Sequence, residues 1–130
     1  MTTTSSSPAS YIAGRIGLAS LFIVSGTMKA LSFNDTAGWM AGAGLPLAST
    51  LLALTLVLEI GGGLALAFGI ATRWVALAFA AFLVPATLMF HQFWAGDPSG
   101  DQLNHFLKNL ALLGAMFVVS AYERRTDSVR

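Results

Sequence analysis

Cysteine is absent from all 130 residues. That excludes disulfides, thiol nucleophiles, Cys-ligated zinc and Cys-ligated iron–sulfur clusters. Charge is scarce as well: charged residues are 10% of the chain, against roughly 25% in an ordinary soluble domain. So few charges cannot cover a water-facing surface. The net charge of +1 gives no electrostatic footprint for nucleic acid, which is excluded as a partner. Residues 1–10, MTTTSSSPAS, carry no basic residue. The apolar stretch that follows therefore reads as a retained helix, not a cleaved signal peptide.

What is present is apolar. Hydrophobic residues make up 55% of the chain. They gather into runs long enough, at about 1.5 Å per residue, to cross a hydrocarbon layer of about 30 Å. The expected fold is all-α, a four-helix transmembrane bundle embedded in a lipid bilayer. Its helices fall at about 10–31, 47–70, 74–93 and 101–122. Residues 1–9 read as a disordered polar tail and residues 123–130 as a charged cytoplasmic tail. Residues 33–45, FNDTAGWMAGAGL, are too short and too glycine-rich to span. They suit a short outer interfacial helix capped by Asn34 or Asp35, with Trp39 at headgroup level. Pro46 suits the first turn of the second span.

Basic residues in short flanks set orientation. Arg15, Arg73, Arg124, Arg125 and Arg130 share one side with both termini; Lys29 and Lys108 lie on the other, with Asp35, Asp97 and Asp101 in its loops. The expectation is a multi-pass inner (plasma) membrane protein with cytoplasmic N- and C-termini.

Glu59 is the single charge in residues 47–70. A carboxylate at that depth is costly unless it is paired, hydrogen-bonded or protonated, and it marks a functional candidate. By helical rise, Lys108 from the fourth span is the favoured partner and Arg15 the rival. Either pairing would also serve simply to fix helix rotation. Gly61, Ala65 and Gly69 recur at four-residue spacing, a ridge that admits a close helix neighbour. Lys29, His91, His105, Lys108 and Asn109 come from three spans but fall in the same half of the membrane. They could form a quinone headgroup site or a proton relay. The histidine and aspartate spacing matches no tight ligand motif, and no metal is expected. Each histidine alone reads as an ordinary interfacial side chain; their convergence with two lysines raises the functional reading.

These residues, in this order, resemble the DoxX family of small bacterial membrane proteins. The resemblance covers residues 13–114. It rests on Gly14-Arg15, Ser25-Gly26 with Lys29, Glu59 with Gly61-Gly62-Gly63, Gly69, Thr72-Arg73, residues 91–94 (HQFW), Phe106 and the run from Lys108-Asn109 to Gly114. It implies a four-helix inner-membrane protein. It also implies a link to quinone-dependent oxidoreductases, through relatives that resemble a thiosulfate:quinone oxidoreductase subunit or join complexes with redox enzymes.

The first functional expectation is a membrane subunit of a quinone-linked oxidoreductase. In it Glu59, Lys108 and His105 have proton or headgroup roles, and Lys29, His91 and Asn109 line the quinone pocket. Such a subunit needs a bound cofactor or a soluble redox enzyme as partner, since none of these groups transfers electrons alone. The alternative is a non-catalytic membrane scaffold or assembly factor, working with a redox enzyme or as a homo-oligomer. A small-solute transporter is a weaker third, because no inverted repeat of broken helices is visible.

Overall fold

A computed structural model describes residues 7–129. Residues 1–6, most of the expected polar tail, and Arg130 lie outside the described residues. Five helices account for the fold, with no strand among the described residues. They are α1 (Ala9–Leu31), α2 (Phe33–Gly42), α3 (Ala48–Phe68), α4 (Thr72–Phe90) and α5 (Asp101–Asp127), with a 3-10 turn at Phe93–Ala95. Apart from the ten-residue α2, each is long and apolar enough to cross a membrane. The all-α reading with four spans and a short helix between the first two holds. The chain forms two compact units, one ending at Ile70 and one beginning at Ala71.

In the first unit α1 and α3 run antiparallel, and small residues set their register. A Cβ on Gly63 would lie 2.7 Å from Ile23 Cγ1 and 3.4 Å from the Ala19 carbonyl oxygen. A Cβ on Gly26 would lie 2.8 Å from Ile60 Cγ1 and 3.0 Å from Glu59 Cβ. The pairs 19/63 and 26/59 thus step in opposite directions along the two helices. Ala19, Phe22 and Gly26 make the buried stripe of α1; Leu52, Glu59, Gly63 and Leu66 make that of α3. Gly61, expected on the packing ridge, has open space around it. It lies two residues from Glu59, on the other side of the helix. Gly63, four residues from Glu59, shares its face.

Residues Val57–Gly62 form a π-helical turn within α3, with Glu59 inside it. Such turns interrupt the α ladder and recur at functional sites. The end of α3 is closed by Gly69 at φ 77°, with Ile70 N–H donating to the Ala65 carbonyl at 2.8 Å. That is the 6→1 bond of a Schellman cap. Its start departs from expectation. The helix opens at Ala48, after Leu47 at φ 52°, so Pro46 stands in the preceding turn and not in the first helical turn.

In the second unit α4 buries Thr72, Ala76, Phe79, Ala80, Leu83 and Thr87, a stripe at three- and four-residue steps. It packs against α5, where Met116, Val119 and Ser120 are buried. α5 continues five residues beyond the expected end at Tyr122, to Asp127. The sequence of residues 99–102, Ser-x-x-Gln, fits a capping box, but the start of α5 is capped differently. Asp97 Oδ2 accepts from Leu103 N–H at 2.9 Å, and Ser99 Oγ accepts from Asp101 N–H at 3.3 Å.

The Leu103 N–H is the main reason the Asp97 carboxyl sits below its ordinary range; desolvation opposes it, and the Gln102 and Gly100 N–H groups and Ser99 add smaller lowering effects. A depressed folded-state value means the cap is fully present above about pH 4, the unfolded value. It is lost as pH falls through the lower folded value. Asp97→Ala is therefore expected to increase amide exchange over residues 101–104 at pH 7, and by less at acid pH as the carboxyl protonates. Hydrogen-exchange mass spectrometry at both pH values checks this.

Candidate functional site

The buried carboxylate is answered from α1. Lys29 Nζ donates to Glu59 Oε1 at 2.7 Å, to Glu59 Oε2 at 2.9 Å and to Ser25 Oγ at 2.8 Å. An ammonium carries three donors, and all three are taken. The Glu59 side chain is 4% exposed and that of Lys29 32%. This salt bridge ties α1 to the π-helical turn of α3. Gly26 makes the approach possible, since its missing side chain is where Glu59 and Ile60 pack.

The expected partners, Lys108 and Arg15, are both corrected by this geometry. Lys108 is exposed and makes no hydrogen bond or ion pair among the described residues. Arg15 serves the end of α3: its Nη2 lies 3.5 Å from the Ala67 carbonyl oxygen, and its guanidinium fills the space beside Gly69. A cation there also faces the negative end of the helix dipole. The misplacement has a physical origin. Depth estimates from the sequence assume that spans end level. Yet α1 runs only five residues past Gly26 (26 to 31), whereas eleven residues of α3 precede Glu59 (48 to 59). That is a difference of about 9 Å at helical rise, and it brings Lys29 down to Glu59.

The second unit holds another polar group. His91, just after α4, has Nδ1 in hydrogen-bond contact with Gln102 Oε1 at 3.0 Å. Its ring stacks on His105 of α5 with centroids 5.0 Å apart and planes 24° from parallel. One turn further along both helices, Asn109 Nδ2 donates to Thr87 Oγ1 at 3.0 Å. Beside this pair runs an apolar groove of about 120 Å³, walled by Leu83, Val84 and Leu88 of α4 and by Phe106, Leu110 and Leu113 of α5. Phe106 also meets Phe93 and Trp94 edge-on at 5.2 and 6.2 Å.

A cluster of five was expected: Lys29, His91, His105, Lys108 and Asn109. Within its unit, Lys29 is engaged with Glu59 and Ser25. His91, His105 and Asn109 line up along α4 and α5, joined by Gln102 and Thr87. Neither of these last two was expected at the site, Gln102 being read only as part of a capping box, although the sequence held a signal for each. Thr87 is the polar residue four before His91, and Gln102 lies three before His105 on one helical face. No group of three or more metal-ligating carboxylate, histidine or cysteine side chains occurs among the described residues.

The DoxX family model matches residues 11–92, including Glu59, Lys29 and His91. This chain belongs to the DoxX family. Two curated relatives of the DoxX chain come from Escherichia coli K12. It is 26% identical to the inner membrane protein YphA over 87% of this chain and 82% of that one. It is 34% identical to the inner membrane protein YqjF over 84% of this chain and 80% of that one. No solved structure matches the chain. The family match places both halves of the Lys29–Glu59 pair within the shared region, while α5, with His105 and Asn109, lies beyond it.

Proposed function

We propose that this DoxX-family chain is the quinone-binding membrane subunit of an inner-membrane oxidoreductase, with both termini cytoplasmic. The observation that carries the reading is the Thr87–Asn109 pair set in the wall of an apolar groove, one turn from the His91–His105 stack. A lipid-soluble quinone has a matching anatomy: a polar ring with two carbonyls and a hydrocarbon tail. Hydrocarbon walls with a few convergent polar groups are what such a ligand needs. Leu83, Val84, Leu88, Leu110 and Leu113 hold part of the tail, Phe106 offers a ring face, and Asn109 becomes the headgroup contact when its amide turns from Thr87 into the groove, whose present surface is hydrocarbon. His105 and His91 exchange protons with water at the open end of the site. The quinone supplies the redox chemistry, and a soluble enzyme supplies or takes the electrons. The terminus assignment rests on Arg15, Arg73, Arg124 and Arg125 sharing one side of the membrane.

The role of Glu59 and Lys29 in this reading is to hold α1 against α3, because every proton of the ammonium is already committed. Photolabelling with an azido-quinone tests the assignment. Label is expected to concentrate in peptides from residues 83–113, and to fall about tenfold in Asn109→Leu, the loss of one to two hydrogen bonds in hydrocarbon. Label spread evenly over all four spans, or unchanged in the variant, would count against it. The scaffold reading is favoured by the same saturated ion pair, and it predicts a stoichiometric partner with no quinone.

A further inference from the structure

Arg15 is a cation that no acid of its own unit answers. The acids of the first unit are Asp35 and Glu59. Glu59 is taken by Lys29, and Asp35 lies in α2, past the far end of α1. A guanidinium has five N–H donors. One of them, on Nη2, reaches the Ala67 carbonyl oxygen at 3.5 Å, the long limit of a hydrogen bond. Nε is enclosed and has no acceptor among the described residues. Nη1 has no acceptor there either, but it is not enclosed, so its two protons open to the surroundings. The end of the α3 dipole supplies only about half a charge against the full one.

The fork is held in place. Its Nη1, Nη2 and Cζ lie 2.9 to 3.2 Å from where a Gly69 Cβ would stand, so the glycine is its seat. Its Cζ is 5.7 Å from the centre of the Tyr11 ring, within cation–π range. Arg15 stands six residues from the start of α1 (9 to 15), about 9 Å along the helix and within reach of the headgroup layer. The surface around it is hydrocarbon. Ile12 and Ile16 are exposed on α1, and Phe68 and Ile70 are exposed on either side of Gly69.

We infer that Arg15 holds the phosphate of an anionic phospholipid in the leaflet where α1 begins. A fixed, half-buried cation bordered by exposed hydrocarbon suits an anion joined to acyl chains. The planar guanidinium pairs with phosphate oxygens, and the lipid supplies the counter-charge that the unit lacks. The acyl chains lie over Ile12, Ile16, Phe68 and Ile70. A zwitterionic lipid brings its own cation and compensates Arg15 less. The site stands whether or not the chain binds a quinone.

Titration of the full chain with phosphatidylglycerol and with phosphatidylcholine, read by native mass spectrometry, tests this. The wild type is expected to bind one phosphatidylglycerol about tenfold more tightly than phosphatidylcholine, the gain of one charge-assisted hydrogen bond. Arg15→Gln should bring the two lipids within about twofold of each other. Lys108→Gln, which removes the charge of an exposed lysine elsewhere, should keep the preference in full. Excess inorganic phosphate should leave it in place, because the acyl chains anchor the lipid. If Arg15→Gln fails to fold, the wild type alone carries the test. A phosphatidylglycerol with a diazirine near its glycerol is then expected to label residues 9–18 and 65–70. An unchanged preference in Arg15→Gln, an equal loss in Lys108→Gln, or label spread evenly over the spans overturns the inference. Displacement of the lipid by inorganic phosphate overturns the lipid assignment and leaves a site for a free anion.

Discussion

Lys29→Met is expected to destabilise the protein by about 3 kcal/mol, the lower end of what removing one member of a buried pair costs. The reason is the carboxylate left behind. Glu59 is 3% exposed, and Lys29 Nζ is the donor to both of its oxygens. The lower end applies because Lys29 itself is a third exposed and its head is partly solvated. Glu59→Gln should cost less, about 1 kcal/mol, because a neutral amide still accepts from the ammonium. The double variant Lys29→Met with Glu59→Leu should recover most of the loss, since a well-packed apolar pair often matches a buried ion pair. Thermal melts in one mild detergent give the three values. A single variant that melts like wild type would show that the pair holds nothing together.

Gly26→Val is the second large effect expected, a loss of about 2–3 kcal/mol from overpacking. The first carbon alone would sit 2.8 Å from Ile60 Cγ1 and 3.0 Å from Glu59 Cβ. The Ile60 side chain can shift, but the Glu59 Cβ is tied to the backbone of the π-helical turn. Relief requires α1 to move away, which stretches the Lys29–Glu59 contact one turn further on. Gly61→Val is the control, because nothing lies within 4 Å of a Cβ there. It should melt within about 0.5 kcal/mol of wild type, as surface substitutions usually do. Equal losses at Gly26 and Gly61 would mean that α1 and α3 do not meet at this register.

These two expectations turn on features that the sequence carried unevenly. Span number and the short helix at residues 33–42 were legible, because hydropathy and length decide them. That Glu59 needed a partner was legible from the cost of a charge in a span. Which partner was not. The answer depends on how far α1 stops short of the start of α3, and no pattern within one helix reports that offset. The glycine ridge failed for a related reason. Four-residue spacing picks out a face but not which face, and the buried face is the one bearing Glu59 and Gly63. The π-helical turn left no recognised signal in VLEIGG. In the second unit the histidines and Asn109 were visible as polar residues in an apolar chain. Thr87 was not, because a threonine inside a span usually bonds its own helix.

Mass spectrometry of lipid extracts from the protein, purified in mild detergent, tests the central claim most directly. Quinone-class molecules are counted per chain in wild type and in Asn109→Leu. A near-stoichiometric quinone in wild type that is lost in the variant is the predicted result. Wild-type protein free of quinone, carrying instead a stoichiometric soluble partner, would contradict the quinone site and leave the scaffold reading in its place.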